Sequence, residues 1–304
     1  MARIGDGIPI FTLLAIPAVL AFPAARPDEL ITSSDLAPRA YFANAIITDP
    51  DALKWYQPVQ DDDNDNSRNN YAASITADTT THRSDTNPNN SPGAPNSGAI
   101  TSAYQCFTSA TYPPLTSWLP FSTLWAHAAQ TITANNPTTA PSLITTTLHS
   151  LILSLSAEVH LDARILLAVI LQESSGILAA PCTGYSATNC GLMQGPPGSR
   201  PFDPLQPAAS IERMLRDGIQ GHEGEWPQGG PGLAWWMGAE KSPWKALRGY
   251  NTGSVPCDGD LGVTAGSGTP SYVVDVANRL VGWDGVTRGQ CAWGQGCAGG
   301  TGGW

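Results

Sequence analysis

A mainly α-helical fold is predicted by three features of the 304-residue sequence. Apolar residues recur at helical spacing in several segments between 103 and 285. Helix starts are marked by Asp162, Pro141-Ser142 and Ser242-Pro243. No series of alternating strands and no internal repeat is visible.

The elements follow in order. Leu115, Trp118, Leu119, Phe121, Leu124, Trp125 and Ala128 predict a first helical stretch, interrupted by Pro120. Pro141-Ser142 opens an apolar helix to about Val159, with Leu143, Leu148, Leu151, Ile152 and Leu155 on its buried side. Asp162 is a good N-cap for a third helix, from Ala163 to about Ser174. Its run Ile165–Leu171 is apolar all round, which places it at the centre of a domain. Pro207 to Asp217 predicts a helix with Ile211, Met214 and Leu215 on one face. A Gly/Pro/Trp-rich loop is expected from about Gly221 to Gly238, then helices from Pro243 to Tyr250 and over Pro270–Trp283.

Outside this region the composition changes. Residues 1–25 read as a secretory leader, with Arg3, an apolar stretch from Ile8 to Phe22, and small residues suited to cleavage after Ala21. Residues 26–58 are mixed and read as a propeptide or N-terminal arm. From Gln60 to about Ser102 the chain is dominated by Asp, Asn, Ser, Thr, Pro and Gly. Such a segment buries too little apolar area to offset its ordering entropy and is expected to be a disordered linker. Asp61-Asp62-Asp63 lacks the glycine and glutamate of an EF-hand loop. Asn89-Asn90-Ser91 is a glycosylation sequon, and 286–304 forms a Gly-rich tail. The organisation is therefore a leader (1–25), an arm and linker (26–102), a helical domain (103–285) and a tail.

Net charge is −10, so nucleic acid is not expected as a partner, because phosphate contacts need clustered Lys and Arg. Six cysteines in a chain with a leader predict three disulfides. Cys182–Cys190 and Cys291–Cys297 are close enough in sequence to staple local loops, which by elimination leaves Cys106 with Cys257. The absence of C-x-x-C argues against a redox or zinc site. His222-Glu223-Gly224-Glu225 is not H-E-x-x-H, and Gly294-x-Gly296-x-x-Gly299 has no preceding strand, so neither a metal nor a dinucleotide is expected. No G-x-S-x-G or P-loop is present.

The chemistry concentrates where the central helix ends, in Gln172-Glu173-Ser174-Ser175-Gly176. A carboxyl at the inner end of an apolar helix is desolvated, so its pKa rises, which suits a general acid. Gly191-Leu192-Met193-Gln194 and Leu247-Arg248-Gly249-Tyr250-Asn251-Thr252-Gly253 follow.

In this order the three pieces resemble the goose-type lysozyme and soluble lytic transglycosylase superfamily. That family has an apolar helix ending in a Glu-Ser and Gly element, then a Gly-Leu-Met-Gln turn, then a helix ending in Tyr-Asn-x-Gly. The sequence looks most like the secreted fungal branch, which carries the ending seen at Asp275–Trp283. Gly249 stands where the family usually has Ala. The resemblance covers about 140–285, roughly half the chain, and implies a lysozyme-like fold.

It also implies that Glu173 is the acid/base that protonates the glycosidic oxygen of a β-1,4-linked amino-sugar polymer. Ser174 would hydrogen-bond substrate, Met193 and Gln194 would line the cleft, Tyr250 would hold the Glu173 carboxyl, and Asn251 would contact the sugar. No Asp or Glu lies between Ser174 and Phe202, so Asp203 is the first candidate for a second carboxylate. Members of the superfamily often work with one Glu; lytic transglycosylases use the substrate's own acetamido and 6-hydroxyl groups, and others activate water with a distal Asp. The ten Trp residues divide between sugar platforms and core packing, with Trp226, Trp235, Trp236 and Trp244 in or beside the Gly-rich loop.

The expectation is a secreted, monomeric glycosidase acting on peptidoglycan without a cofactor or metal, and with no membrane contact after leader cleavage. Chitin or chitosan as substrate, and a non-catalytic glycan binder, are the alternatives. The acidity bears on this choice: an anionic protein is repelled by anionic bacterial walls, with salt screening beyond about 8–10 Å, and attracted by cationic chitosan.

Overall fold

The central helix starts and stops where its caps dictate. In the computed structural model, which describes residues 41–42, 45–59, 98–257, 259–262 and 268–292, Asp162 has extended backbone and its carboxylate accepts from Arg164 N at 3.0 Å. The helix runs Ala163–Ser174 and ends with Ser175 in the left-handed conformation. Gly176 follows at φ +70°, and a Cβ there would lie 2.3 Å from Ile132 Cγ1, so only glycine fits. Ala163 to Ile170 are all buried. The one cation among them, Arg164, forks onto Asp162 at 2.9 and 2.8 Å and lies over the Trp118 ring.

The described elements are α1 (Pro50–Leu53), a 3₁₀ turn (Leu115–Ser117), α2 (Phe121–Asn135), a π-helical turn (Leu143–Leu148) running into α3 (His149–Val159), and α4 (Ala163–Ser174). After a 3₁₀ turn at Tyr185–Ala187 come α5 (Pro207–Gln220), β1 (Gly221–His222), β2 (Gly230–Pro231), α6 (Leu233–Glu240), α7 (Pro243–Thr252) and α8 (Tyr272–Leu280). The molecule is mainly helical. The two short strands pair antiparallel, with Gly221 opposite Pro231. Helices α2, α3, α5, α7 and α8 contribute Ile132, Ile152, Ile211, Leu247 and Val276 to the core around α4, each fully buried.

One detail differs from the sequence expectation, and two others are added to it. The region 221–238, expected as a loop, holds the hairpin and α6. Trp236 and Trp244 are buried, Trp235 is half-buried, and Trp226 on the hairpin is 51% exposed. Residues 45–59 pack on the helices: Ile47 is 1% exposed, its N–H donates to Val159 O at 3.0 Å, and Trp55 stacks on Trp118.

Of the expected disulfides, one forms. Cys182 is bonded to Cys190. Cys106 is bonded to Cys291, so neither Cys291–Cys297 nor Cys106–Cys257 forms. The reason is that residues 101–105 run beside α8 and the chain that leaves it. Thr101 N donates to Gly282 O at 2.7 Å, and Gln105 exchanges two bonds with the Asn278 side chain, both 2.8 Å. Cys257 is also disulfide-bonded. Cys297, the leader, most of the 26–102 arm and linker with Asp61–Asp63 and the sequon, and the Gly294–Gly299 pattern lie outside the described residues. Among the described residues no helix is long and apolar enough to cross a membrane.

Candidate active site

Glu173 occupies the last turn of α4, beyond eight consecutive buried positions. Its Oε1 accepts from the Tyr272 hydroxyl at 2.5 Å. Desolvation pushes its pKa up to about 8, and the bond from Tyr272 works the other way without reversing it. No neighbouring charge contributes. Tyr272 begins α8 and is 2% exposed. Burial, then the charge of Glu173, hold its phenol well above the usual tyrosine range, so it stays a donor.

The family resemblance assigned this contact to Tyr250. Tyr250 instead donates to Met193 O at 2.8 Å. It remains within electrostatic reach of Glu173, whose charge adds to burial in raising its pKa. Tyr250 thus ties α7 to the turn at 191–194, and Tyr272 holds the carboxyl.

Ser174 does similar tying. It is 7% exposed, its hydroxyl lies 2.8 Å from Leu192 O and 3.1 Å from Ile170 O, and it accepts from Gly176 N at 3.2 Å. A hydroxyl so engaged fixes the 191–194 turn to the end of α4, in place of the expected substrate contact. The Met193 side chain is fully buried in the core and so does not line a cleft. Gln194 adopts φ +46°; its Oε1 accepts from Thr183 Oγ1 at 2.6 Å and its Nε2 donates to Gly191 O at 2.9 Å. The Cys182–Cys190 bond closes the loop that carries Thr183.

Asn251 Oδ1 accepts from Arg248 Nη1 at 3.0 Å and from Thr269 N at 2.9 Å. Arg248 is fully buried, and its guanidinium also donates to the carbonyls of Leu261, Thr269 and Pro270. The last two carbonyls immediately precede α8, so Arg248 and Asn251 set the position from which Tyr272 reaches Glu173. Gly249 has its own reason: a Cβ there would lie 2.3 Å from Trp236 Cε3.

Asp203 stands apart from this group. Its Oδ1 accepts from Leu205 N at 2.9 Å, its N–H donates to Ser210 Oγ, and Arg213 lies 3.9 Å away. It organises the entry to α5. Two carboxylates that the sequence reading left without a role are wholly buried. Asp217 meets His222 Nε2 at 3.1 Å and accepts from Arg200 N. Asp275 accepts from Tyr104, Ser271, Gln172 and Arg288. Through Gln172 it braces the residue beside Glu173, which gives the Asp275–Trp283 segment a structural role. Among the described residues no group of three His, Cys, Asp or Glu is placed to hold a metal ion.

The arrangement is thus one desolvated carboxyl, protonated at neutral pH with no charge among the described residues shifting it, oriented by a tyrosine and framed by the 191–194 turn. A search against family models, curated proteins and solved structures finds no match to the chain.

Proposed function

We propose that the protein is a secreted lysozyme-like glycosidase that cleaves β-1,4 bonds of peptidoglycan, with Glu173 as its acid. The observation that carries this reading is the Glu173 carboxyl, held at a pKa of about 8 by desolvation and hydrogen-bonded by Tyr272. Because Tyr272 donates to Oε1, the proton of the neutral acid resides on Oε2. From there it passes to the glycosidic oxygen as the C1–O bond breaks.

The second half of the reaction needs a nucleophile at C1, and among the described residues no charge acts on Glu173. This favours the substrate-assisted course. The acetamido oxygen stabilises C1, the substrate's 6-hydroxyl then attacks it, and Glu173 takes that hydroxyl's proton back. The products are a 1,6-anhydro end and a free sugar end, with no water consumed. The disulfides Cys106–Cys291 and Cys182–Cys190 support an oxidising, extracellular setting.

The net charge of −10 favours a second polymer, chitosan, whose amines are cationic. Mass spectrometry of products from purified peptidoglycan and from chitosan oligomers separates the two. Muropeptides one water lighter than hydrolytic products support substrate-assisted cleavage of peptidoglycan. Products from chitosan alone move the substrate, and full-mass muropeptides replace substrate assistance by water attack. A glycan-binding protein without activity would yield none of these products.

A further inference from the structure

The groove between residues 56–59 and the exposed side of α3 encloses about 300 Å³, at the lower end of the range that small-molecule sites occupy. Its polar lining comes from Tyr56, Gln57, His149, Ser150, Ser154 and Ser156, and its apolar lining includes Leu153 and Pro58. Among the described residues no Lys, Arg, Asp or Glu lines it. We infer that this groove is a second binding site, distinct from Glu173, for one or two units of a neutral saccharide.

Three observations carry the inference. First, Ser156 is 3% exposed and its hydroxyl has no hydrogen-bond partner among the described residues. A buried hydroxyl left unsatisfied is costly, and helical serines ordinarily bond back to the preceding turn. The hydroxyl is closed to solvent in its present rotamer, and a χ1 rotation toward the groove gives it a ligand hydroxyl as the missing partner. Second, the lining alternates hydroxyl, amide and imidazole groups with short apolar surfaces. That matches a pyranose, which presents hydroxyls at its rim and C–H groups on its faces, whereas a charged ligand finds no counter-ion here. Gln57 Oε1 already accepts from Arg164 Nη2 at 3.0 Å, so its NH₂ is the group turned to a ligand. Third, the helix that carries Ser150, Ser154 and Ser156 is entered through a six-residue π-helical turn, Leu143–Leu148, immediately before His149. Such turns are rare and recur at functional positions.

The groove is independent of the glycosidase chemistry at Glu173. Tri-N-acetylchitotriose is titrated into the full chain carrying Glu173→Gln, and backbone amide shifts are followed by NMR. Saturable shifts at 56–58 and 149–157 are expected, separate from any at 172–194. Ala157→Trp, at an exposed position on the groove wall, is expected to abolish the first set and leave the second. Ser156→Ala is expected to weaken binding about tenfold at the groove while leaving the fold intact, since it removes an unsatisfied group. Absence of shifts at 56–58 and 149–157, or their persistence unchanged in Ala157→Trp and Ser156→Ala, overturns the proposal, whatever happens at Glu173.

Discussion

Tyr272 reaches Glu173 across 99 positions of sequence, its hydroxyl 2.5 Å from Oε1. This bond orients the carboxyl and offsets part of the pKa rise that desolvation causes. Tyr272→Phe removes an interaction that lowers the Glu173 pKa, so the pKa is expected to rise further above 8. The alkaline limb of a pH–rate profile then moves to higher pH while kcat falls by roughly tenfold, the scale of one hydrogen bond to a charged group. An unmoved limb would mean that Tyr272 only packs.

The same carboxyl makes stability depend on pH. Its folded pKa, about 8, lies above the unfolded value, so between the two the native state binds the proton and the unfolded chain does not. The contribution is full below the unfolded pKa and is lost as pH rises through 8. Glu173→Gln removes this loss. Urea titrations at pH 6 and pH 9 are expected to show the wild type weakening relative to Glu173→Gln at the higher pH.

Ser174→Ala strips the hydroxyl from Leu192 O and Gly176 N, two buried backbone groups. A destabilisation of about 1–3 kcal/mol is expected by chemical denaturation, with the position of the pH–rate limb retained, because Ser174 makes no bond to the Glu173 carboxyl. A shifted limb would place Ser174 in the chemistry.

Gly249→Ala tests the packing under α7. Its Cβ would enter the Trp236 ring, 2.3 Å from Cε3, at a cost of about 1–3 kcal/mol. Pairing it with Trp236→Leu is expected to recover part of that loss, read as non-additivity in a double-mutant cycle.

The legibility of this molecule divides along locality. Helix α4 could be read because its signals are adjacent: the Asp162 cap, the apolar run and Gly176 all lie within one segment. The desolvated carboxyl at its end is legible from the same run. Tyr272 was missed because no local pattern links it to Glu173; only the fold brings the start of α8 against the end of α4. Tyr250, which the resemblance pairs with Glu173, has its hydroxyl committed to Met193 O. Spacing misled on the cysteines for the same reason: Cys291 lies close in sequence to Cys297, but the strip at 101–105 lies beside α8 and delivers Cys106. Helix α6 was hidden by the glycines around it, since Gly232 starts it and the hairpin precedes it. Ser174 and Met193 are buried and Asn251 is bonded to Arg248 and Thr269, which a motif does not report.

If the Glu173 proton drives bond cleavage, release of soluble muropeptides from purified peptidoglycan must follow its titration. Measuring that release across pH 5 to 10 for wild type and Glu173→Gln tests this most directly. Products from wild type are expected to decline as pH passes about 8, and the loss in the variant is expected to be about 10²–10⁴-fold below that pH and to narrow above it. Undiminished release by Glu173→Gln would contradict the role of the acid.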